Sequence, residues 1–259
     1  PWGVEIYGLL SRWNPLNLKR PYPKKSSGYN VLIAGMGPAG FTLAHYLLNE
    51  GHRVVGIDGL KIEPLEKELL IQPIRQWDKL KEPLQTRRSA GFGGVAEYGI
   101  TARWDKNYLK LVRLLLERRS HFALYDGVRL GGTLTLPQAF ELGFDHIALC
   151  LGSGKPNILD LPHGLARGIR LASDFLMTLQ LTGAAQESSL ANLQIRLPIL
   201  VVGGGLTAVD TATEALAYYP LQVEKFLKRT EELVGLPPSL SQEEANIAEE
   251  FQIGRASCR

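Results

Sequence analysis

The stretch Asn30 to Asp58, NVLIAGMGPAGFTLAHYLLNEGHRVVGID, most constrains how this chain can fold. Val31, Leu32 and Ile33 form a short apolar run, as expected of a strand buried on both faces. Gly35, Gly37 and Gly40 follow as a complete G-x-G-x-x-G. The first glycine permits the tight turn, the second lets a pyrophosphate approach the backbone, and the third lets the next helix pack closely on the strand. Phe41 to Asn49 reads as that helix, its N-terminal N–H groups directed at the phosphates. Gly51 stands where a C-terminal cap belongs. Val54 to Ile57 reads as a second strand, and Asp58 at its end is placed to bind a ribose hydroxyl. The unit predicts dinucleotide binding; the plainer alternative is a tight glycine turn that binds nothing.

A second stretch repeats the theme. In PILVVGGGLTAVD, Ile199 to Val202 reads as a buried strand and Gly203-Gly204-Gly205-Leu206-Thr207-Ala208 as a G-x-G-x-x-A turn. Val209 to Ala217 then reads as a helix and Val223 to Leu227 as the strand that follows. This unit ends on Lys228 and Arg229 instead of an acid. An acid suits the free hydroxyls of NAD, whereas cations suit the 2′-phosphate of NADP, so the pair favours NADP, with NAD as the alternative. Exposed, non-binding cations are the plainer reading. Two units with different endings predict two different dinucleotides and an α/β chain with two Rossmann-like units.

The rest of the chain is read around these units. Pro1 to Leu18 suggests a short amphipathic helix, and KRPYPKKSSG an exposed connector, making 1–29 an N-terminal helix and linker. Gly59 to Arg88 reads as an insertion holding a helix broken at Pro73. Gly91-Phe92-Gly93-Gly94-Val95 is a glycine-rich loop where backbone comes close to something. In DKNYLKLVRLLLERR, Leu109, Val112 and Leu116 recur at helical spacing, with the basic residues expected on a solvated face. Phe122 to Leu124 and Asp145 to Leu151 read as strands. Thr133 to Leu142 reads as a turn and short helix, Ser173 to Leu181 as a helix with Asp174 in its first turn, and 183–194 as a polar loop. Cys150, alternating with apolar neighbours, is expected to be a core thiol rather than a nucleophile.

Composition narrows the function classes. The 259 residues are 45% hydrophobic, enough for a buried core. No apolar run reaches the roughly 18 residues of a membrane helix, and the start does not resemble a signal peptide. With Pro1 in place of a methionine, the chain is expected to be a fragment. The last eight residues, QIGRASCR, read as translated sequencing adapter. Without Arg255 and Arg259, Lys+Arg falls from 29 to 27 against 26 acids, and the net charge from +3 to about +1. No nucleic-acid or membrane partner is then implied. Cys258 disappears with them, which leaves no disulfide, Cys-rich metal or C-x-x-C site. The five histidines show no metal-ligand spacing. A cytoplasmic setting is expected.

In order, GMGPAG with Asp58, GFGGVAEYGI, the strand ending Leu151-Gly152-Ser153, ASDFL, GGGLTAVD and LKRTEE resemble one group. It is the small subunit of bacterial glutamate synthase and its relatives, within the FAD- and NAD(P)-dependent pyridine nucleotide-disulfide oxidoreductases. The resemblance runs from about Asn30 to Phe251. It implies an FAD domain over 30–160, a connector over 161–197 and an inserted NAD(P)H domain over 198–251, truncated before the return to the FAD domain. Residues 252–259 would be the adapter.

By resemblance, Gly35, Gly37, Pro38, Ala39 and Gly40 hold the FAD pyrophosphate and Asp58 the adenosine ribose. Gly93 and Gly94 approach the ribityl and flavin, and Val128 supplies a backbone contact to adenine. Gly152 matches the glycine of the family's A-T-G strand end, although Cys150 and Leu151 replace its Ala-Thr. Gly204, Gly205, Leu206 and Thr207 fall on the NADPH pyrophosphate loop, and Lys228 and Arg229 near the 2′-phosphate. The implied reaction is hydride transfer from NADPH to FAD, then electron delivery to an iron–sulfur segment or a partner subunit. No side-chain acid or base is needed for that first step, so no catalytic residue is assigned. A flavin monooxygenase is the rival enzyme, and a non-catalytic dinucleotide-binding module the rival outside catalysis.

Overall fold

A computed structural model describes residues 24–80, 93, 107–152, 156–233 and 240–257. The expected N-terminal helix, the first half of the connector, and Gly91, Phe92, Gly94 and Val95 lie outside the described residues. The chain opens as β1 (Asn30–Ala34), α1 (Pro38–Asn49) and β2 (Arg53–Ile57). β1 and β2 pair in parallel, Val31 opposite Val54 and Ala34 opposite Ile57. β3 (Phe122–Tyr125) and β4 (His146–Leu149) complete a four-stranded sheet of order β3-β2-β1-β4, parallel throughout.

The apolar run of β1 is buried on both faces because successive side chains point to opposite sides. Ile33 packs with Phe41, Ala44 and Leu48 of α1 and with Leu109 and Leu116 of α3 (Asn107–Glu117). Leu32 and Ala34 pack on the other side with Ile57 and with Ala139 of α4 (Leu136–Glu141). Each fully buried branched side chain there contributes about 2 kcal/mol. α1 begins three residues before the expected Phe41, with Pro38 at its first turn, where no amide hydrogen is needed. It ends in a Schellman motif: Gly51 N–H donates to Leu48 O at 3.2 Å and His52 N–H to Leu47 O at 3.1 Å. α4 carries a full capping box between Thr135 and Gln138.

The insertion after Asp58 holds α2 (Lys67–Ile71) and a 3-10 turn (Trp77–Leu80), separated at Pro73 as expected. The basic face of α3 departs from expectation. Arg113 is only 2% exposed; its guanidinium binds Glu117 and the Glu63 carbonyl oxygen. Arg118 donates to the carbonyls of Leu69 and Gln72, and Arg119 Nη1 to Asn49 Oδ1 at 2.8 Å. These cations reach backbone carbonyls of the insertion and a side chain of α1, where a forked donor with a long apolar stem fits. Arg113 is a buried clamp, and Arg118, though exposed, is tied to the insertion by its hydrogen bonds.

The second half is helical: α5 (Ala172–Leu181), α6 (Leu206–Glu232) and α7 (Gln242–Ser257). α5 follows the sequence reading, with Asp174 in its first turn. The second strand–turn–helix–strand unit does not form. Val223 to Leu227, expected as a strand, lies inside the 27-residue α6. The physical reason is its period: Ala215, Tyr218, Tyr219, Gln222, Val223 and Leu227 recur every three or four residues and are the buried positions. Val223 and Leu227 pack against Ile247 and Phe251 of α7. Pro220 sits within α6 and leaves the carbonyl four residues earlier without its usual donor. Ile199 to Val202, expected as a buried strand, pairs with no strand among the described residues; Leu200 is 86% exposed. The approach to α6 is held instead by polar contacts. Gln222 makes two hydrogen bonds to the Ile195 backbone, and Glu250 accepts from Arg196 and from Leu197 N–H.

Candidate functional site

The carboxyl ends of β1, β2 and β4 meet at the glycine turn. Gly35 has φ +96°, and a side-chain carbon there would lie 2.2 Å from the Cys150 carbonyl oxygen. Only glycine fits, because the chain leaving β4 passes directly against the turn; Cys150 N–H extends the pairing to Ala34 O at 2.8 Å. A Cβ on Gly40 would lie 2.1 Å from Gly35 O, so α1 sits as close to the turn as backbone permits. Gly37 is the N-terminal cap residue and Pro38 opens α1, which leaves the N–H groups of Ala39 and Gly40 ahead of the helix's own acceptors. The first helical bond is Phe41 N–H to Gly37 O at 3.0 Å.

Asp58 closes the site at the end of β2. Its side chain is buried, and its two oxygens are fixed by backbone: Oδ2 accepts from Met36 N–H at 2.9 Å and Oδ1 from Leu60 N–H at 2.8 Å. The two bonds orient the carboxylate, and a carboxylate oxygen can accept more than one hydrogen bond. Gly93 comes to the same place. Its N–H donates to Lys61 O at 3.2 Å, and a side-chain carbon there would lie 3.0 Å from Ile62 and 3.2 Å from the Asp58 carboxyl carbon. Gly94 is outside the described residues.

Val128 follows the turn after β3, and its N–H donates to Asp58 O at 2.9 Å. A backbone contact from Val128 to a purine is thereby left to its carbonyl. Asp126 Oδ2 accepts from Ile62 N–H at 3.1 Å, tying this turn to the insertion. Gly152 has φ +75° in open surroundings beyond β4. Burial raises the Cys150 thiol above its ordinary range, which keeps it protonated and suits the packing role read for it. Among the described residues, no group of His, Cys, Asp and Glu is arranged to hold a metal ion.

The second glycine turn stands apart from its expected partners. Gly203 has φ +138°, Gly205 caps α6, and Gly204 and Gly205 face open space. Leu206 and Thr207 are in the first turn of α6, and Leu206 is exposed. Lys228 and Arg229 are on the same helix, 22 positions beyond Leu206 in the case of Lys228. At the α-helical rise that is about 33 Å, too far to share one nucleotide. Lys228 pairs with Glu187, each holding the other's charged form, and Arg229 Nη2 donates to Ser189 O at 2.6 Å. Lys225 Nζ donates to the Ala184 and Ala191 carbonyls at 3.0 Å each. In this structure these cations fasten the 183–194 loop to α6.

Sequence reading missed two contributors: the Met36 N–H, which carries no side-chain signal, and Arg113, whose charge suggested solvent. The spacing Arg113–Glu117 was the available hint, since residues four apart share a helix face.

The model for pyridine nucleotide-disulphide oxidoreductases matches residues 29–253. The chain is 53% identical over 251 residues to an uncharacterized protein of Rickettsia prowazekii (strain Madrid E), across 97% of this chain and 35% of that protein. It is 27% identical over 227 residues to the glutamate synthase [NADPH] small chain of Bacillus subtilis (strain 168), across 84% of this chain and 38% of the relative. The chain thus spans little more than a third of the curated relatives it matches. Among the described residues, no helix is long and apolar enough to cross a membrane. With a parallel sheet built around a G-x-G-x-x-G turn and an acid at the end of β2, the chain belongs to the pyridine nucleotide-disulphide oxidoreductase family.

Proposed function

We propose that this chain binds FAD at the β1–α1 turn and serves an oxidoreductase that takes hydride from NADPH and passes electrons onward. The observation that carries the reading is the Asp58 carboxylate, fixed by Met36 N–H and Leu60 N–H beside the opening of α1. Its place at the end of β2 suits a ribose hydroxyl, and the N–H groups of Ala39 and Gly40 suit a pyrophosphate. Gly37, Pro38 and Gly40 let those phosphates approach, and Gly93 lines the Asp58 side of the site. Gly152 and the carbonyl of Val128 are the further contacts proposed. FAD, when bound, would supply a two-electron acceptor able to release electrons singly.

Gly204, Gly205, Leu206 and Thr207, heading α6, are proposed for the pyrophosphate of the nicotinamide donor. NADPH is favoured over NADH by the name of the Bacillus subtilis relative. Lys228 and Arg229 do not support that preference in the geometry described, because α6 carries them away from the turn. The proposed electron acceptor is an iron–sulfur segment or a partner subunit.

The test is anaerobic titration of the FAD-loaded protein with NADPH, followed by the yellow flavin absorption. Bleaching at one equivalent is expected. Tight NADPH binding without bleaching would sink the hydride transfer and leave a binding module. Oxygen-dependent hydroxylation of a substrate would move the protein to the monooxygenases.

A further inference from the structure

We propose that Arg113 and Glu117 are a positioning pair that holds the segment Leu60–Glu63 against Asp58, setting its carboxylate for the adenosine ribose of FAD. The inference rests on the FAD reading above. Arg113 is buried on α3, and Glu117 accepts from its Nε at 2.6 Å and from its Nη2 at 3.2 Å. That grip leaves Nη1 aimed away from Glu117, and it donates to Glu63 O at 2.6 Å. Three further contacts run through the same short segment. Leu60 N–H holds Asp58 Oδ1, Lys61 O accepts from Gly93 N–H, and Ile62 N–H donates to Asp126 Oδ2. Gly93 faces the same place: a side-chain carbon there would come within 3.0 Å of Ile62 and 3.2 Å of the Asp58 carboxyl carbon. The segment is therefore the part of the site that fixes one Asp58 oxygen, and Arg113 pins its far end from the core.

A buried charge is expensive unless it is fully partnered, and many such pairs add little net stability. This one is explained by what it orients. Arginine suits the task because its planar fork fixes direction as well as charge.

The experiment compares binding of FAD with that of an FAD analogue lacking the adenosine 2′-hydroxyl, by flavin fluorescence on the full chain. Wild-type protein is expected to favour FAD about tenfold, the usual reach of a hydrogen bond to a charged group. In Arg113→Met the preference should fall to within about twofold of unity. Arg113→Lys, which keeps the charge without the fork, should recover melting temperature more than preference. Leu179→Ala, a cavity in α5 remote from the segment, should lower the melting temperature and leave the preference intact. If Arg113→Met does not fold, Glu117→Gln is read instead, with the same fall expected. A folded Arg113 or Glu117 variant with an unchanged preference overturns the positioning role, as does an equal fall in Leu179→Ala. A wild-type preference of unity overturns the ribose reading of Asp58 itself.

Discussion

Asp58 and Met36 are 22 positions apart in the chain, yet the Met36 N–H donates to Asp58 Oδ2 at 2.9 Å in a buried contact. The acid at the end of β2 thus holds the glycine turn at the end of β1. Loop shape and the proposed ribose contact would then depend on one carboxylate.

Asp58→Asn is the direct probe of that dependence. An amide offers one acceptor oxygen and one donor where the structure presents two N–H donors, so one side would face donor against donor. Loss of about 1–3 kcal/mol of stability is expected, together with at least about tenfold weaker FAD binding. Urea unfolding and flavin fluorescence check the two separately. Unchanged FAD affinity would remove Asp58 from the site.

Gly35→Ala and Gly152→Ala separate strain from collision. Both glycines have positive φ, but only at Gly35 does the new carbon meet a backbone oxygen, at 2.2 Å. Gly152→Ala should cost about 1–2 kcal/mol from conformation alone. Gly35→Ala should cost clearly more, about 3 kcal/mol or above, because the clash adds to the strain. Denaturant midpoints give the ranking, and equal losses would contradict the packing of β4 against the turn.

Lys228→Ala with Arg229→Ala tests what those cations do. If they fasten the 183–194 loop, the double variant should increase proteolytic cutting there and leave the NADPH-to-NADH affinity ratio unchanged. A selective loss of NADPH would instead return the pair to the 2′-phosphate.

Phe251→Ala tests the helical register of α6. Phe251 is buried against Tyr219 and Phe226, with ring centroids 6.1 and 5.3 Å away. Its loss should cost about 3–5 kcal/mol. Amide exchange in 215–227 should accelerate in Phe251→Ala. A strand at 223–227 would show neither the helical exchange pattern nor this coupling.

His45 predicts a pH dependence. Burial first, and the Arg119 guanidinium second, depress its pKa below the ordinary 6.5. The Arg119 Nη2 contact to His45 Nδ1 at 3.2 Å requires that nitrogen to accept, hence a neutral ring. The unfolded chain then binds more protons than the folded one near and below pH 6.5. Stability conferred by this group is present above the unfolded value and is lost as pH falls through the folded one. His45→Gln should flatten that part of the melting-temperature profile between pH 7.5 and about 5.

Much of the first unit was legible from residue order because its constraints are local. The run Val31–Ile33, three spaced glycines, Pro38 and an acid 18 positions after Gly40 are each tied to one backbone feature, and the sheet reproduces them. The second unit carries the same local marks, and tertiary packing decided against them. A buried parallel strand needs a neighbour on the ladder, and no described strand pairs with Ile199 to Val202. The following residues repeat apolar positions at the helical period, and α7 supplies a surface that buries that face. Arg113 shows the same division at the scale of one side chain: its spacing to Glu117 can be read from the sequence, but a charge enters a core only when packing brings a carboxylate and a carbonyl to its fork. Sequence by itself determined the glycine turn, its helix and its acid, because those depend on neighbours within one supersecondary unit. Tertiary structure alone decided which cations are buried, which apolar runs pair, and where Lys228 and Arg229 point, because each depends on residues far away in the chain.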